Sequence, residues 1–298
     1  MEVPMSAQRT QAVEEVTIRK ASPEDAQSCG RICYEAFHKI NTGYGFPPEL
    51  PEAGVAVGML SRMFSHPGFW CVVAEVNGRT IGGNCLDERS SVVGVGPITV
   101  DPGGQNHGIG RRLMEAALHR CRERKVPSVR LLQSAFHNRS LSLYSSLGFD
   151  VREPLSVMQG PPLRFSIDGC TVRAATLRDL DSANRVCERV HGHDRSGELS
   201  DAIASGIALV VERQGRITAY ASTLAFFGHA AAESNLDLQA LIAAADTFGG
   251  PGIIVPTRNS ELFRWCLRKG LRVVQPMTLM TIGLYNEPVG AYLPSVLY

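Results

Sequence analysis

Apolar and polar positions change period several times along the chain, and the changes divide it into short elements. Val16–Lys20 alternates with period two and predicts a strand. Ser22-Pro23-Glu24-Asp25 predicts a helix start: a capping hydroxyl, proline in the first turn, then acids. Ile32, Cys33, Ala36 and Phe37 then share one helix face. Residues 41–51 are rich in Asn, Gly, Pro and aromatics and predict a loop without regular structure. Residues 53–64 predict a second helix, with Val57, Leu60, Met63 and Phe64 inward, and His66-Pro67-Gly68 ends it. Phe69–Val76 and residues 79–86 predict two strands joined by Asn77-Gly78, a strong two-residue hairpin signal. Residues 97–100 predict a short strand closed by Asp101-Pro102-Gly103-Gly104. A helix follows, with Ile109, Leu113, Ala117 and Leu118 on one face. Residues 129–133 predict the next strand, and Asn138 opens a short helix closed by Gly148.

The second half repeats this pattern. C-T-V-R-A-A-T-L-R-D at 170–179 aligns with V-T-I-R-K-A-S-P-E-D at 16–25. Both halves carry a polar-Gly-Arg hairpin after a Val-Val strand, at Gly78 and Gly215. Asn259 to Leu271 echoes Asn138 to Phe149, with Trp265 standing for Tyr144. Gln159-Gly160-Pro161-Pro162 reads as a linker. The expected division is a leader at 1–15, one domain at 16–158, a linker at 159–168 and a degenerate second copy at 169–298. The copies differ most before the third helix of each. The second half has A-A-A-E-S-N-L-D-L-Q there, with no glycine, and its helix is expected over 235–247.

Composition narrows the class. Apolar residues make up 44% and charged residues 20% of 298, enough to bury two cores. A net charge of +1 gives no reason to expect a nucleic-acid partner, and no apolar run approaches a membrane span. The polar start has no apolar signal core. The eight cysteines show no C-x-x-C and no zinc-type spacing, so reduced thiols in a cytoplasmic protein without a metal are expected. His191-Gly192-His193-Asp194 reads as a surface loop.

The candidate chemistry lies at Val100-Asp101-Pro102-Gly103-Gly104-Gln105-Asn106-His107-Gly108-Ile109-Gly110, between a strand and a helix. A glycine-bearing loop that opens a helix points free N–H groups at an anion, and the helix dipole favours negative charge there. No Gly-Lys-Ser/Thr follows, so this is not a mononucleotide P-loop. The pattern V-x-P-x-x-Q-x-x-G-x-G resembles the acyl-CoA motif of GNAT-type N-acetyltransferases. N-R-S-L-S-L-Y-S-S-L-G-F at 138–149 resembles the second signature of that family. The resemblance covers about residues 16–158, and the whole layout is similar to tandem GNAT proteins with a non-catalytic second copy.

The resemblance implies an α/β fold of two tandem domains, each a mostly antiparallel mixed sheet flanked by helices. It implies acetyl-CoA or another acyl-CoA as co-substrate. The diphosphate would rest on Gln105, Asn106, His107, Gly108, Ile109, Gly110 and Arg111, and the pantetheine arm would run along Ile98, Thr99 and Val100. Tyr144 stands at the family position of the acid that protonates the leaving thiolate, and Asn138 would cap its helix and reach the cofactor arm. An amine acceptor must lose a proton, and Asp87, Glu88 and His137 are the candidate bases. The acceptor pocket is expected near His38, Tyr44, Phe46, Met59, Met63 and His137, a set that hints at an apolar or aromatic acceptor. The leading expectation is acyl transfer to a small-molecule amine by a monomer or homodimer. An acyl-CoA sensor and a protein N-acetyltransferase remain open.

Overall fold

The structure is a computed structural model that describes residues 15–298, so the expected leader lies outside the described residues except for Glu15. The first half runs β1 (Val16–Lys20), α1 (Ala26–Gly43), α2 (Ala53–Ser65), β2 (Phe69–Val76), β3 (Arg79–Asp87), β4 (Val92–Val95), β5 (Thr99–Val100), α3 (Ile109–Glu123), β6 (Ser128–Ser134), α4 (Asn138–Ser146) and β7 (Asp150–Gln159). The second runs β8 (Thr171–Ala174), α5 (Leu180–His191), α6 (Ser196–Ala204), β9 (Leu209–Arg213), β10 (Arg216–Ala221), β11 (Ala230–Ala232), α7 (Asn235–Ala244), β12 (Ile253–Pro256), α8 (Ser260–Arg268), β13 (Arg272–Gly283) and β14 (Ala291–Leu293).

The repeat is visible in matching interactions. Arg19 donates to both Asp25 carboxylate oxygens at 2.8 Å and to Glu75 at 2.9 Å. Arg173 does the same to Asp179 at 2.8 and 2.7 Å and to Glu212 at 2.9 Å. Asp25 and Asp179 close capping boxes with Ser22 and Thr176. The hairpin residues match as well: Asn77-Gly78 have φ of 51° and 77°, Gln214-Gly215 53° and 73°, the left-handed values of a tight hairpin turn. Gly148 and Gly270, each two residues past its helix, both have φ 96°. That register pairs Tyr144 with Cys266 and corrects the sequence alignment, which placed Trp265 there.

Two sheets form, and the larger takes strands from both halves. A nine-stranded sheet has the order β1-β2-β3-β4-β6-β13-β7-β12, with β5 also on β3; a five-stranded sheet has the order β14-β11-β10-β9-β8. The strand after α8 inserts between β6 and β7 of the first half, and β12 pairs with β7. Each half therefore places its late strand against the other's. All pairings between named strands are antiparallel except β4 with β6. One cluster of Val92, Leu155, Val157, Phe226, Ile254, Met277 and Leu279 is buried jointly by both halves.

Three local expectations also change. Helix α1 runs on through Asn41 to Gly43, because Asn41 is buried and its amide donates to the Pro47 carbonyl and to Gln275. The strand expected at 97–100 is shorter, only Thr99–Val100, and β4 precedes it. The His191 loop is only partly on the surface: Gly192 is exposed, but His191 is buried edge-on to Tyr292, and His193 hydrogen-bonds the Tyr298 hydroxyl at 2.9 Å. Among the described residues no helix is long and apolar enough to cross a membrane.

Candidate active site

The site begins with a bulge. Gly83 and Leu86 of β3 pair with Thr99 and Val95, so three steps on one strand face four on the other. The extra residue turns the chain at Gly96-Pro97. β4 pairs with β6 only from Val92 to Gly94, and β5 pairs with β3 alone. Beyond Val95 the two central strands therefore part. A cleft opens, lined by Ile98, Thr99 and Val100 on one side and by Leu143 and Tyr144 on the other.

Helix α3 starts at the outer end of that cleft. Its N-cap is Gly108, at φ 77°, with no side-chain cap and no acid in the first turn. Arg111 and Arg112 stand there instead, at the positive end of the dipole. An uncapped helix start leaves free N–H groups, and with two added cations it suits an anion. Gln105 fixes the loop from within by donating to the Val100 carbonyl at 3.2 Å. Arg139 holds it from across the cleft, donating to Asn106 at 2.6 Å. Gln105, Asn106, Gly108, Ile109, Gly110 and Arg111 all line this cleft of about 310 Å³. His107 does not line it and is exposed. Asn138 does not reach it either: His137 is the N-cap of α4, and Asn138 is its exposed first residue. Arg139 is the contact that sequence reasoning missed.

The same helix start in the second half is closed by the chain itself. Ser234 caps α7 by accepting from the Asp237 N–H, and the fully buried Asp237 carboxylate is bound by Arg213 at 2.6 and 3.0 Å and by Thr218 at 2.7 Å. β14 pairs along β11 and packs beside β12. An internal carboxylate and an internal strand thus fill the regions that are open in the first half.

The open cleft continues inward to a second cavity of about 130 Å³. Phe37, Ile40, Ile98, His137, Ser140 and Tyr144 line both. Tyr144 is thus at the junction. Burial pushes its phenol well up, so it stays protonated at neutral pH. His137 is pushed down, by burial first and by Arg139 second, and so is a neutral imidazole. Cys33 also faces the inner cavity, but burial pushes its thiol far up and leaves it a poor nucleophile.

Two expected bases are elsewhere. Asp87 is held by Arg89 through its backbone N–H at 3.1 Å and its guanidinium at 2.9 Å. Burial alone would raise Glu88, but hydrogen bonds from Arg120 and Arg124 outweigh it and hold its carboxyl low. Neither lines the cleft or the inner cavity. Of the expected acceptor residues, Met59 and His137 line the inner cavity. Met63 is packed in the core, His38 is exposed against Tyr34, and Tyr44 and Phe46 lie on Phe136. The second half supplies wall residues the sequence did not suggest, Phe226, Phe227, Val296 and Leu297 among them. The buried Glu49 is the other residue missed. It sits in the aromatic loop, and only its long-range partner distinguishes it from a surface acid.

The first half and the overall fold are similar to known proteins. The model of the acetyltransferase (GNAT) family matches residues 34–149. The chain carries a GNAT acetyltransferase domain, and that family uses acetyl-CoA. Curated relatives called mycothiol acetyltransferase, from Thermomonospora curvata and Tsukamurella paurometabola, are 39% and 32% identical over 92 and 154 residues. Those matches cover 30% and 48% of this chain and only 31% and 51% of the relatives. A presumed acetyltransferase from Pyrococcus horikoshii shares the fold with a TM-score of 0.75 at 18% identity, over 96% of both chains. A tandem GNAT protein from the clavulanic acid biosynthesis pathway does so with a TM-score of 0.54 at 13% identity, over 91% of this chain and all of that one. The fold is that of a tandem GNAT protein.

Proposed function

We propose that this chain moves an acetyl or other short acyl group from CoA to an amine by direct attack, in the cleft of the first half. The observation that carries the reading is the uncapped, cationic start of α3 at the mouth of a cleft that ends at Tyr144. The loop residues 105–111 would hold the diphosphate, and the unpaired edge of β5 would take the pantetheine arm. Bound there, acyl-CoA supplies an activated thioester. The protein holds the two reactants together, keeps bulk water out, and supplies a proton at the Tyr144 hydroxyl for the departing sulfur. The second half is read as a copy without a CoA site, because Asp237 and β14 occupy its equivalent regions.

Calorimetric titration of acetyl-CoA tests this, with Gly108→Trp and Gly110→Trp as blocked controls. One mole per chain, lost in both variants, is expected. Two moles per chain would overturn the degenerate second site, and no binding would overturn the whole reading. A sensor would bind acetyl-CoA with the same stoichiometry but release no thiol with any amine. The relatives' name makes a mycothiol-related small molecule one acceptor to include.

A further inference from the structure

Among the described residues that line the inner cavity there is one carboxyl, and the acyl-transfer reading leaves it unused. Glu49 lines it and is 7% exposed. Gln275 Nε2 donates to Glu49 Oε1 at 2.8 Å, across 226 residues of sequence. Asn41 Nδ2 in turn donates to Gln275 Oε1 at 3.3 Å and to the Pro47 carbonyl at 3.0 Å. That orients both amides. It leaves Asn41 Oδ1 buried without a donor. A carboxylate offers roughly four acceptor sites, and here it receives few donors: among the described residues no Lys or Arg lines the cavity. The cluster has a surplus of acceptors, and burial raises the Glu49 carboxyl above its ordinary value for want of a positive charge.

Most of the surrounding wall is apolar: Phe37, Ile40, Leu50, Met59, Phe226 and Phe227. The volume of about 130 Å³ is close to the roughly 150 Å³ of an apolar cavity that accepts one benzene ring. The group that would complete this recess is compact, apolar over most of its surface, and carries several N–H donors with a positive charge at one point. A primary ammonium on a ring-sized apolar body has those properties. A polyhydroxylated amine does not, because its hydroxyls would lose water and find few partners.

We propose that the inner cavity is the acceptor site for such an amine, that Glu49 binds its ammonium and takes its first proton, and that Gln275 of the second half positions Glu49. This rests on the acyl-transfer reading above. The balance is complete. The ammonium gives one proton to Glu49, which passes it to solvent. The freed nitrogen lone pair forms the bond to the acyl carbon while the carbon–sulfur bond breaks. Tyr144 protonates the sulfur and is restored by the second proton of the nitrogen. The half that lacks a CoA cleft of its own thereby helps choose the acceptor, through Gln275 and the Phe226-Phe227 wall.

The test follows thiol release from acetyl-CoA with 2-phenylethylamine, butylamine and glucosamine as acceptors, with acetyl-CoA titrations on the same preparations. Wild type is expected to favour 2-phenylethylamine over glucosamine by about 10²-fold or more in kcat/KM. Glu49→Gln keeps the volume and the bond to Gln275, and is expected to lose about 10²-fold or more with unchanged acetyl-CoA binding. Gln275→Leu is expected to raise the amine KM about tenfold with a smaller change in kcat, a split that general loosening of the fold would not produce. Should Glu49→Gln fail to fold, inhibition of wild type decides: 2-phenylethylamine should outcompete the uncharged 2-phenylethanol by at least about tenfold. Wild-type rates in Glu49→Gln, a preference for glucosamine, or equal binding of amine and alcohol overturn the proposal. So does acetyl-CoA binding without transfer to any of the three amines. Absence of acetyl-CoA binding would instead overturn the reading beneath it.

Discussion

Asp237 and the α3 loop are two answers to the same problem, an anion required at a helix start. In α7 the anion is built in. Burial alone would raise the Asp237 carboxyl, but hydrogen bonds from Arg213, Ser234 and Thr218 outweigh it and hold it low. Removing it leaves Arg213 and Thr218 without their carboxylate partner and the helix start without its negative charge. Asp237→Ala is therefore expected to cost about 3–5 kcal/mol in urea unfolding, while the first half still binds acetyl-CoA in the folded fraction. Asp25 gives a pH test of the same kind. The Arg19 guanidinium holds its carboxyl at about 2, against an ordinary 3.8. Because the folded value lies below the unfolded one, the pair stabilises fully above pH 3.8 and is lost as pH falls through 2. Asp25→Asn should flatten the acid limb of a stability–pH curve in that window; an unchanged limb would remove Asp25 from the account. Tyr144→Phe is expected to lower kcat by about 10²–10⁴-fold and leave acetyl-CoA affinity as it was, read from turnover and titration together.

Elements whose signal is local were legible in the sequence; those fixed by distant partners were not. The capping boxes at Ser22 and Thr176, both hairpins and the glycines after α4 and α8 are set by a few adjacent residues, and the sequence pattern names them. The glycine-bearing loop that opens α3 is local as well. Glu49 could not be found that way, since its role depends on Gln275, brought there by a bulge in β13 between Val273 and Gln275. Asp87 and Glu88 fail for the complementary reason: their basic partners include Arg120 and Arg124, one helix away, which no spacing rule reveals. The end of α1 shows tertiary contact overriding a loop-like composition, with Asn41 bonded in the interior. Gly94 in β4 belongs to this second class too. A Cβ there would lie 1.9 Å from the Leu297 carbonyl oxygen, so the glycine exists to let the 294–298 segment lie against the strand. Gly94→Ala should push that segment outward and cost about 1–3 kcal/mol by urea unfolding. Since Leu297 lines the inner cavity, the amine KM should rise with it, and a variant with wild-type stability and KM would show that the segment does not shape the pocket.

At the scale of the whole molecule, the two halves cannot be separated where the sequence places a linker. Residues 160–168 carry no regular element other than a turn, as a linker should. Yet β13 lies between β6 and β7 and pairs with both along most of its length, and β12 covers the other edge of β7. Cutting at residue 163 would remove β13 and bare Leu131, Leu155 and Val157, each now buried. It would also leave β6 and β7 as unpaired edges with apolar faces, the arrangement that promotes aggregation. The fragment 15–163 is accordingly expected to lack a cooperative melting transition and to bind no acetyl-CoA, whereas both fragments produced together should reassemble and bind it. The intact chain should unfold in one transition, with near-ultraviolet and far-ultraviolet circular dichroism coincident, because the strands shared between the halves couple them. Two resolved transitions, or a fragment 15–163 that melts cooperatively, would mean the exchanged strands contribute little. The coupling also bears on function. β13 carries Gln275, and the strand that joins the two halves is the one that reaches into the acceptor cavity, so a second copy with its own cleft closed still has a structural reason to be kept.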